Sequence, residues 1–355
     1  THMADLMQDR GCLVASELSE PRIRGLLGNV YRLGHTGIFV VAGDGRSLPG
    51  GALFDRVLLD APCSGEGTLR RSGGQAPNQS SSFLKYVTTA QRALLERAVH
   101  LTRPGGTILY VTCTVAPEEN EAVVSDALEW LPIDLEPISL PVRHAPGLTE
   151  FDGQTFDPRL EGAARVYPHH LDSGGLFLAR LRRLDGESAP VAPGSSSDGW
   201  RPVPDRFPAD VDFVDGAAGD APPPDAGDAE SDDVDRLRRG VEEVVERFGV
   251  ERDLSELSWT LRGGRAWMHS LDAWPLDAWS ADHAAADPPV GRTWRPISVG
   301  FRAIDFDSRG RPRPTNDFLR WLARDASERV IDLDDDAMRA LLARSPVPVE
   351  VEDRG

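Results

Sequence analysis

Hydrophobic positions in the first half of the chain alternate between two spacings. Short apolar runs predict strands at residues 12–18, 37–44, 54–60, 107–114 and 174–183. Apolar positions at helical spacing predict helices at residues 20–34, 90–106 and 117–131, the first ending at Gly34 and the second at Pro104 and the glycines after it. This alternation predicts an α/β fold with a parallel sheet covered on both faces, whose ligand site lies at the carboxyl ends of the strands.

The pattern changes after residue 184. Residues 185–233 consist largely of Pro, Gly, Ser, Ala and Asp, and this composition predicts a disordered acidic linker. Beyond it, the spacing predicts an amphipathic helix at 234–249, a hairpin at 258–270 around Gly263-Gly264, a capped helix at 314–324, and a strand followed by a helix at 329–344. We therefore expect two domains, residues 1–184 and 234–355, joined by the linker.

Composition places the chain among cytoplasmic globular proteins. It has 355 residues, 40% of them hydrophobic, and no apolar run of the roughly 18 residues that a transmembrane helix needs. The first residues, THMADLMQDRG, lack the basic and apolar regions of a signal peptide. With three cysteines, a disulfide framework is not expected, and we take a monomer as the default state.

The charge balance is strongly acidic. The chain carries 57 acidic and 39 basic residues, a net charge of −18, and Lys85 is its only lysine. A dense carboxylate surface with scarce lysine predicts a salt-adapted protein from a halophilic archaeon, although a GC-rich genome would also replace lysine codons. The acidity argues against non-specific nucleic-acid binding at low salt, whereas local basic patches decide specific contact.

Acidic residues end the first three predicted strands, at Glu17, Asp44 and Asp60. In one parallel sheet these carboxyl ends would share an edge. An acid after the second strand of a nucleotide-binding fold accepts hydrogen bonds from ribose hydroxyls, and an acid after the third can hold an adenine amino group. The pattern predicts a nucleoside cofactor at this edge.

Two cysteines follow strands at the same predicted edge, Cys63 in DAPCSGEGT and Cys113 in VTCT. Such thiols can bind a metal, form a redox pair or act as nucleophiles. The chain has no Cys-x-x-Cys and no histidine at zinc-ligand spacing near either cysteine, so metal and redox roles are poorly supported. Nucleophilic catalysis is the remaining interpretation, while Cys12, inside a strand, is expected to be structural.

Two motifs in order, LLDAPCSGEGTLRR and LYVTCTVAPEENEAVV, resemble the RNA cytosine-5 methyltransferases, the Nol1/Nop2/Sun group with its RsmB/RsmF-like members. The segments EPRIRGLLGNVYRLG and RVYPHHLDSGGLFLARL are similar to the same family, so the resemblance covers residues 1–184. It implies a Rossmann-like S-adenosylmethionine-dependent methyltransferase sheet. It also implies tRNA or rRNA as substrate, with neither membrane nor metal involved.

The resemblance implies a role for each candidate residue. Cys113 would attack cytosine C6, and Cys63 would assist breakdown of the covalent adduct. Asp60 would bind the cytosine edge around N3 and N4. Glu17 and Asp44 would hold the ribose and adenine of S-adenosylmethionine, with Asp60 and Arg22 as further cofactor-side candidates. The target base must be unstacked or flipped out to reach this edge.

Some features depart from the family or stay open. The family's Gly-rich cofactor loop precedes a helix like THMADLM, so we expect an amino-terminally truncated sequence that lacks the first strand and loop and binds S-adenosylmethionine poorly. RPISVGFRAIDF and RVIDLDDDAMRALLAR resemble a small β-rich, PUA-like RNA-binding domain. PEENEAVV reads as an acidic helix start, and His169 and His170 as structural or near RNA. The alternative function is a catalytically inactive RNA-binding or assembly protein.

Overall fold

A computed structural model describes most of the chain. The described residues are 1–8, 10–48, 54–68, 80–184, 231–251, 254, 257–262, 265–270, 295–309, 311–331 and 333–347. They form two compact units: the first contains Thr1–Ala42 and the described residues from 231 onwards, and the second contains the described residues between 43 and 184. Residues 185–230 of the predicted linker and Gly263-Gly264 lie outside the described residues. This grouping differs from a boundary at residue 184, and the division into separately folding domains stays a prediction.

Eight helices and fifteen strands are present in the described residues. The helices are α1 (His2–Met7), α2 (Glu20–Leu33), α3 (Ser81–Leu101), α4 (Glu121–Trp130), α5 (Pro168–Leu171), α6 (Ser231–Arg247), α7 (Asn316–Leu322) and α8 (Asp335–Leu342). The first ten strands are β1 (Leu13–Glu17), β2 (Ile38–Ala42), β3 (Phe54–Asp60), β4 (Thr102–Thr112), β5 (Ile133–Glu136), β6 (Ala145–Pro146), β7 (Glu150–Phe151), β8 (Gln154–Thr155), β9 (Ala164–Val166) and β10 (Leu176–Arg183). The others are β11 (Leu257–Arg262), β12 (Arg265–Ser270), β13 (Arg295–Val299), β14 (Phe301–Phe306) and β15 (Pro312–Pro314).

The first unit contains two sheets. Strand β1 runs parallel to β2, and β13 pairs antiparallel with the other edge of β2. The second sheet is antiparallel in the order β11-β12-β14-β15, and its β11–β12 pair confirms the predicted hairpin. Gly34 has φ 71° and ends α2, as predicted, because glycine adopts the left-handed conformation without strain. The predicted capped helix is also confirmed, since the Thr315 hydroxyl accepts the Phe318 N–H at the start of α7.

The second unit is built on one mixed sheet. Its order is β3-β4-β10-β9-β6, with β5 pairing with β10, and only the β3–β4 pair is parallel. The small hairpin β7–β8 lies apart from it. Fully buried apolar residues of α3, α4 and the sheet pack together, among them Leu95, Val99, Ile108, Tyr110, Val123, Phe177 and Leu181. This core fixes the positions at which β3 and β4 end.

The predicted single parallel sheet is wrong in two respects. Strands β1 and β2 form a sheet with β13, and β3 and β4 belong to a different sheet. Strand β10 lies antiparallel beside β4, with Phe177 opposite Thr112. A strand edge needs a partner for its backbone N–H and C=O groups, and sequence patterning does not specify which strand supplies it.

Three predicted boundaries also needed correction. Helix α3 begins at Ser81, nine residues before the predicted start at 90, because the Ser80 hydroxyl accepts the Phe83 N–H as an N-cap. Pro104 does not stop this helix but lies inside β4, which begins at Thr102. Within the described part of 329–344 there is a helix, α8, and no strand. None of the described helices is long and apolar enough to cross a membrane.

Candidate active site

The loops that carry the two cysteines leave the same edge of the sheet. In the parallel β3–β4 pair, Asp60 lies opposite Val111, so both strands end at one level. The Ala61 N–H donates to the Val111 carbonyl at 2.9 Å, and the Gly67 N–H donates to the Cys113 carbonyl at 2.9 Å. The 61–67 segment is therefore tied to the end of β4 at both of its ends. The predicted convergence of Cys63 and Cys113 is confirmed.

The two thiols form one hydrogen-bonded pair. The Sγ atoms of Cys63 and Cys113 are 3.1 Å apart, and both side chains are partly buried. The hydrogen bond from Cys63 lowers the pKa of Cys113 from 9.0 to about 7, against burial and the charges of Asp60 and Glu119, which raise it. The same hydrogen bond, followed by burial, raises the pKa of Cys63. These opposite shifts make Cys113 the more acidic thiol of the pair.

A buried carboxylate clamps the two cysteine loops together. Glu119 is fully buried. One of its oxygens accepts the Ser64 hydroxyl at 2.5 Å and the Thr114 hydroxyl at 3.3 Å, and the other accepts the Ser64 N–H at 2.8 Å. Ser64 follows Cys63 and Thr114 follows Cys113, so one side chain fixes the residue next to each thiol.

Two buried amides complete this clamp. Gln91, on α3, donates to the Pro62 carbonyl at 2.7 Å and to Glu119 at 3.2 Å. Asn120 accepts the Thr112 hydroxyl at 2.5 Å and donates to the Thr114 carbonyl at 3.1 Å. The Asn120 side chain therefore bridges the residues on either side of Cys113. The Oε1 atom of Gln91 has no hydrogen-bond partner among the described residues. The hydrogen bonds that the clamp does make restrict both cysteine loops to one geometry.

A buried ion pair fixes the segment after Cys113. The Arg165 guanidinium, on β9, forms a two-point pair with Glu121, with Nε donating to Oε1 at 2.6 Å and Nη2 to Oε2. Both side chains are almost completely buried, at 3% and 0% exposure. Arg165 also donates to the Val115 carbonyl at 3.0 Å, and Glu121 accepts the Leu148 N–H at 3.0 Å. Each charged group in this pair has hydrogen-bond partners, and buried charges are stable only when they are paired in this way.

Glycine at position 67 is required by close backbone packing. A Cβ atom there would lie 2.4 Å from the Gly175 carbonyl oxygen and 2.8 Å from the Cys113 carbonyl oxygen. The Gly175 N–H donates to the Gly67 carbonyl at 3.0 Å. The loop of Cys63, the loop of Cys113 and the start of β10 therefore meet in backbone contact, and any side chain at this position would separate them.

The three acidic residues predicted for the site lie in different local environments. Asp60 is exposed at the end of β3, close enough to Cys113 for its charge to raise the pKa of that thiol. Glu17, in the first unit, accepts the Ser19 N–H and pairs with Arg22 at 3.0 Å. Asp44, in the second unit, is bound by the Arg46 side chain and by the Arg46 N–H at 3.0 Å. Of the predicted site residues, the structure brings together Cys63, Cys113 and Asp60.

Sequence reasoning missed the role of three consecutive polar residues. Helix α4 begins at Glu121, four residues after the predicted start at 117, and Glu119 and Asn120 precede it. The segment was predicted only as an acidic helix start, but all three residues are fully buried. The usable signal was the spacing from Cys113: polar side chains six to eight residues after a strand-end cysteine can fold back on it.

Alkylation should report the pairing of the thiols. We expect the rate of Cys113 modification by iodoacetamide to rise with pH to a midpoint near 7, because the thiolate is the nucleophile. Cys63→Ala removes the hydrogen bond that lowers the pKa of Cys113, so the midpoint should move up toward 9.0. Mass spectrometry of the Cys113 peptide measures the rate, and Cys12 in the same sample is the internal control. An unchanged midpoint in Cys63→Ala would contradict the assigned donor.

The part of the chain that contains both cysteines is similar to known proteins. Residues 1–182 match the family described as 16S rRNA methyltransferase RsmB/F. Ribosomal RNA small subunit methyltransferase F of Erwinia tasmaniensis is 39% identical over 199 residues, which cover 55% of this chain and 40% of that protein. A 28S rRNA (cytosine-C(5))-methyltransferase of Mus musculus is 32% identical over 212 residues, covering 58% of this chain and 26% of that one.

A solved structure of a methyltransferase homologue from Pyrococcus horikoshii is 30% identical, with a TM-score of 0.45, and covers 52% of this chain and 57% of its own. The chain spans less than half the length of the two curated relatives. Among the described residues, no group of three or more His, Cys, Asp or Glu side chains is placed to hold a metal ion.

Proposed function

The chain belongs to the 16S rRNA methyltransferase RsmB/F family, and from this premise we propose that it methylates cytosine C5 in RNA through a covalent cysteine adduct. The observation that carries the proposal is the thiol pair at 3.1 Å, in which the pKa of one member is lowered and that of the other raised. A reaction that uses one thiol as nucleophile and the other as proton carrier needs this asymmetry.

The first step uses Cys113. Cytosine C5 is a weak nucleophile, so the ring must gain electron density before it can accept a methyl group. Addition of the Cys113 thiolate forms an S–C6 bond and moves the C5–C6 π electrons to C5 and, by conjugation, toward N3 and the carbonyl. Asp60 is exposed at the same edge, and its proposed role is to bind the N3 and N4 side of the base. A pKa of about 7 leaves about half of Cys113 as thiolate at neutral pH.

The release step uses Cys63. Once C5 carries the methyl group, its proton must leave so that the electron pair can restore the C5–C6 bond and expel Cys113. The largest cause of the raised pKa of Cys63 is its hydrogen bond to Cys113. In the adduct Cys113 is a neutral thioether, so this cause is lost and the pKa of Cys63 falls. Formation of the adduct thereby favours the thiolate form of Cys63, a basic group near the proton that must be removed.

S-adenosylmethionine is the methyl donor that we propose, and it supplies an electrophilic methyl group. Glu17 and Asp44 are the residues that we propose to hold its ribose and adenine. Each carboxylate is already bound by an arginine, Arg22 and Arg46 respectively. Ribose and adenine would have to compete with these ion pairs, so no catalytic step is assigned to Glu17, Asp44 or Arg22.

The proposal also covers the substrate class and a role in RNA binding for the second half of the chain. We take rRNA or tRNA as the substrate class and the cytoplasm as the location. The antiparallel sheet β11-β12-β14-β15 with α6 and α7 is proposed to act as a PUA-like RNA-binding element.

The test is capture of RNA that contains 5-fluorocytosine, with S-adenosylmethionine present. Fluorine at C5 cannot leave as a proton does, so an adduct formed on this base persists and appears as a slower band on a denaturing gel. We expect capture that depends on both the fluorinated base and the methyl donor. Binding of the RNA without capture would support the alternative, an inactive RNA-binding or assembly protein.

A further inference from the structure

Three aromatic rings form a cluster that the proposed reaction does not use. The ring cluster consists of Tyr167, His169 and His170, on α5 and the residue before it. Tyr167 and His169 are stacked, with centroids 5.7 Å apart and planes 11° apart. His170 meets both rings edge-on, at 5.4 Å from Tyr167 and 4.5 Å from His169. His169 is the exposed member of the cluster, whereas Tyr167 and His170 are half-buried.

Basic side chains lie near His170. The pKa of His170 is lowered, first by desolvation and then by the nearby charges of His169, Arg143 and His144. This places the three groups within electrostatic reach of His170. The chain as a whole carries a net charge of −18. Nucleic-acid affinity depends on local positive charge and not on the net value.

The ring cluster is braced against the loop of Cys113. One guanidinium nitrogen of Arg165 donates to the Val115 carbonyl at 3.0 Å and to the Tyr167 hydroxyl at 3.4 Å. A Cβ atom on Gly175 would lie 3.1 Å from the Val115 side chain and 3.5 Å from Pro168. The start of α5 therefore packs beside the residue that lies two positions after Cys113. A nucleotide next to a base bound at Cys113 would reach this surface.

We propose that the ring cluster, with Arg143, binds a nucleotide adjoining the target cytosine in single-stranded RNA, its base stacking on His169 and its phosphate lying near Arg143. This rests on the proposed function, because it needs an RNA base at Cys113. A target base turned out of its stack leaves its neighbours without a stacking partner. An aromatic face replaces that partner for any base, since every base has a π-face.

Binding of a fluorescein-labelled single-stranded RNA of about twelve nucleotides, measured by fluorescence anisotropy without methyl donor, tests this assignment. His169→Ala should weaken binding by about 5- to 150-fold, the range for loss of one stacked base. His169→Phe keeps the ring and should bind within about threefold of the parent. Arg143→Gln should lower the slope of log affinity against log salt by about 0.7, the value for one phosphate contact on a single strand.

The chain offers a matched control. His100 is also exposed but lies at the end of α3, away from the ring cluster in sequence, and His100→Ala should bind like the parent. At saturating RNA, His169→Ala should still capture 5-fluorocytosine RNA, because the cysteines are intact. If the parent protein binds RNA but forms no adduct with 5-fluorocytosine RNA, the proposed reaction is wrong. The anisotropy measurements on the His169 variants still test whether a base stacks on His169.

Three results would overturn the inference. The first is parent-like binding by His169→Ala, and the second is absence of single-stranded RNA binding by the parent. The third is loss of capture by His169→Ala at saturating RNA, which would place His169 in the chemistry and not in binding.

Discussion

Cys113→Ala should abolish covalent capture of 5-fluorocytosine RNA and lower methyl transfer by a factor on the order of 10⁴ or more. The reason is that no other group in the described site can form the C6 bond. Cys63 is close, but its pKa is raised, so it remains a thiol at neutral pH. Gel electrophoresis of the RNA–protein adduct and incorporation of a labelled methyl group measure the two effects.

Cys63→Ala separates the two thiols functionally. It leaves the nucleophile in place and removes the group proposed to assist release, so adduct should accumulate with ordinary cytosine RNA. Cys12→Ala is the control, since Cys12 precedes β1 in the first unit, and it should behave as the parent. Capture by Cys113→Ala, or capture that is lost only in Cys63→Ala, would reverse the assignment of the nucleophile.

Arg165→Leu should lower the free energy of unfolding by about 3–5 kcal/mol, the cost of leaving a buried charge without its partner. Glu121 is fully buried and would keep only the Leu148 N–H among its recorded hydrogen bonds. The variant also removes the hydrogen bond to the Val115 carbonyl, so the loop after Cys113 loses a support. Urea denaturation followed by circular dichroism measures the change.

Two further variants serve as controls for Arg165→Leu. Arg92 pairs with Asp126 at 2.6 Å on the surface of the same unit, with both side chains about half exposed. Arg92→Leu should cost less than about 1 kcal/mol, as exposed pairs do. The double variant Glu121→Leu with Arg165→Leu should recover much of the stability, because no unpaired charge remains. Equal losses in Arg92→Leu and Arg165→Leu would show that burial of the pair does not matter.

Much of the fold could be predicted from local pattern. Strands β1, β3 and β10, helix α2 with Gly34 and the β11–β12 hairpin lie where apolar spacing and turn residues indicated. Each depends on side-chain periodicity or on a residue with a special backbone conformation, and both are properties of short segments. The start of α3 was missed because the prediction did not recognise Ser80 as the N-cap that begins the helix.

Only part of the candidate site could be predicted from the sequence. The cysteines were found because Cys63 sits in a Pro- and Gly-rich turn and Cys113 ends a strand, and parallel neighbours bring such ends together. Glu119, Asn120 and Gln91 were not assigned to the site. Their partners are Ser64, Thr114 and Pro62, and the Glu119–Ser64 bond spans 55 positions along the chain. The salt-adapted origin of the chain stays a prediction from composition.

The sequence by itself determined which residues are chemically able to act: two thiols, the acid Asp60, and the order of strands that carries them. Only the tertiary structure brought the two thiols within 3.1 Å of each other, and this contact is the largest cause of the lowered pKa of Cys113 and the raised pKa of Cys63. It also decided that β1 and β2 pair with β13 in a separate sheet. Periodicity identifies a strand, but strand pairing and pKa arise from long-range contacts that periodicity does not encode.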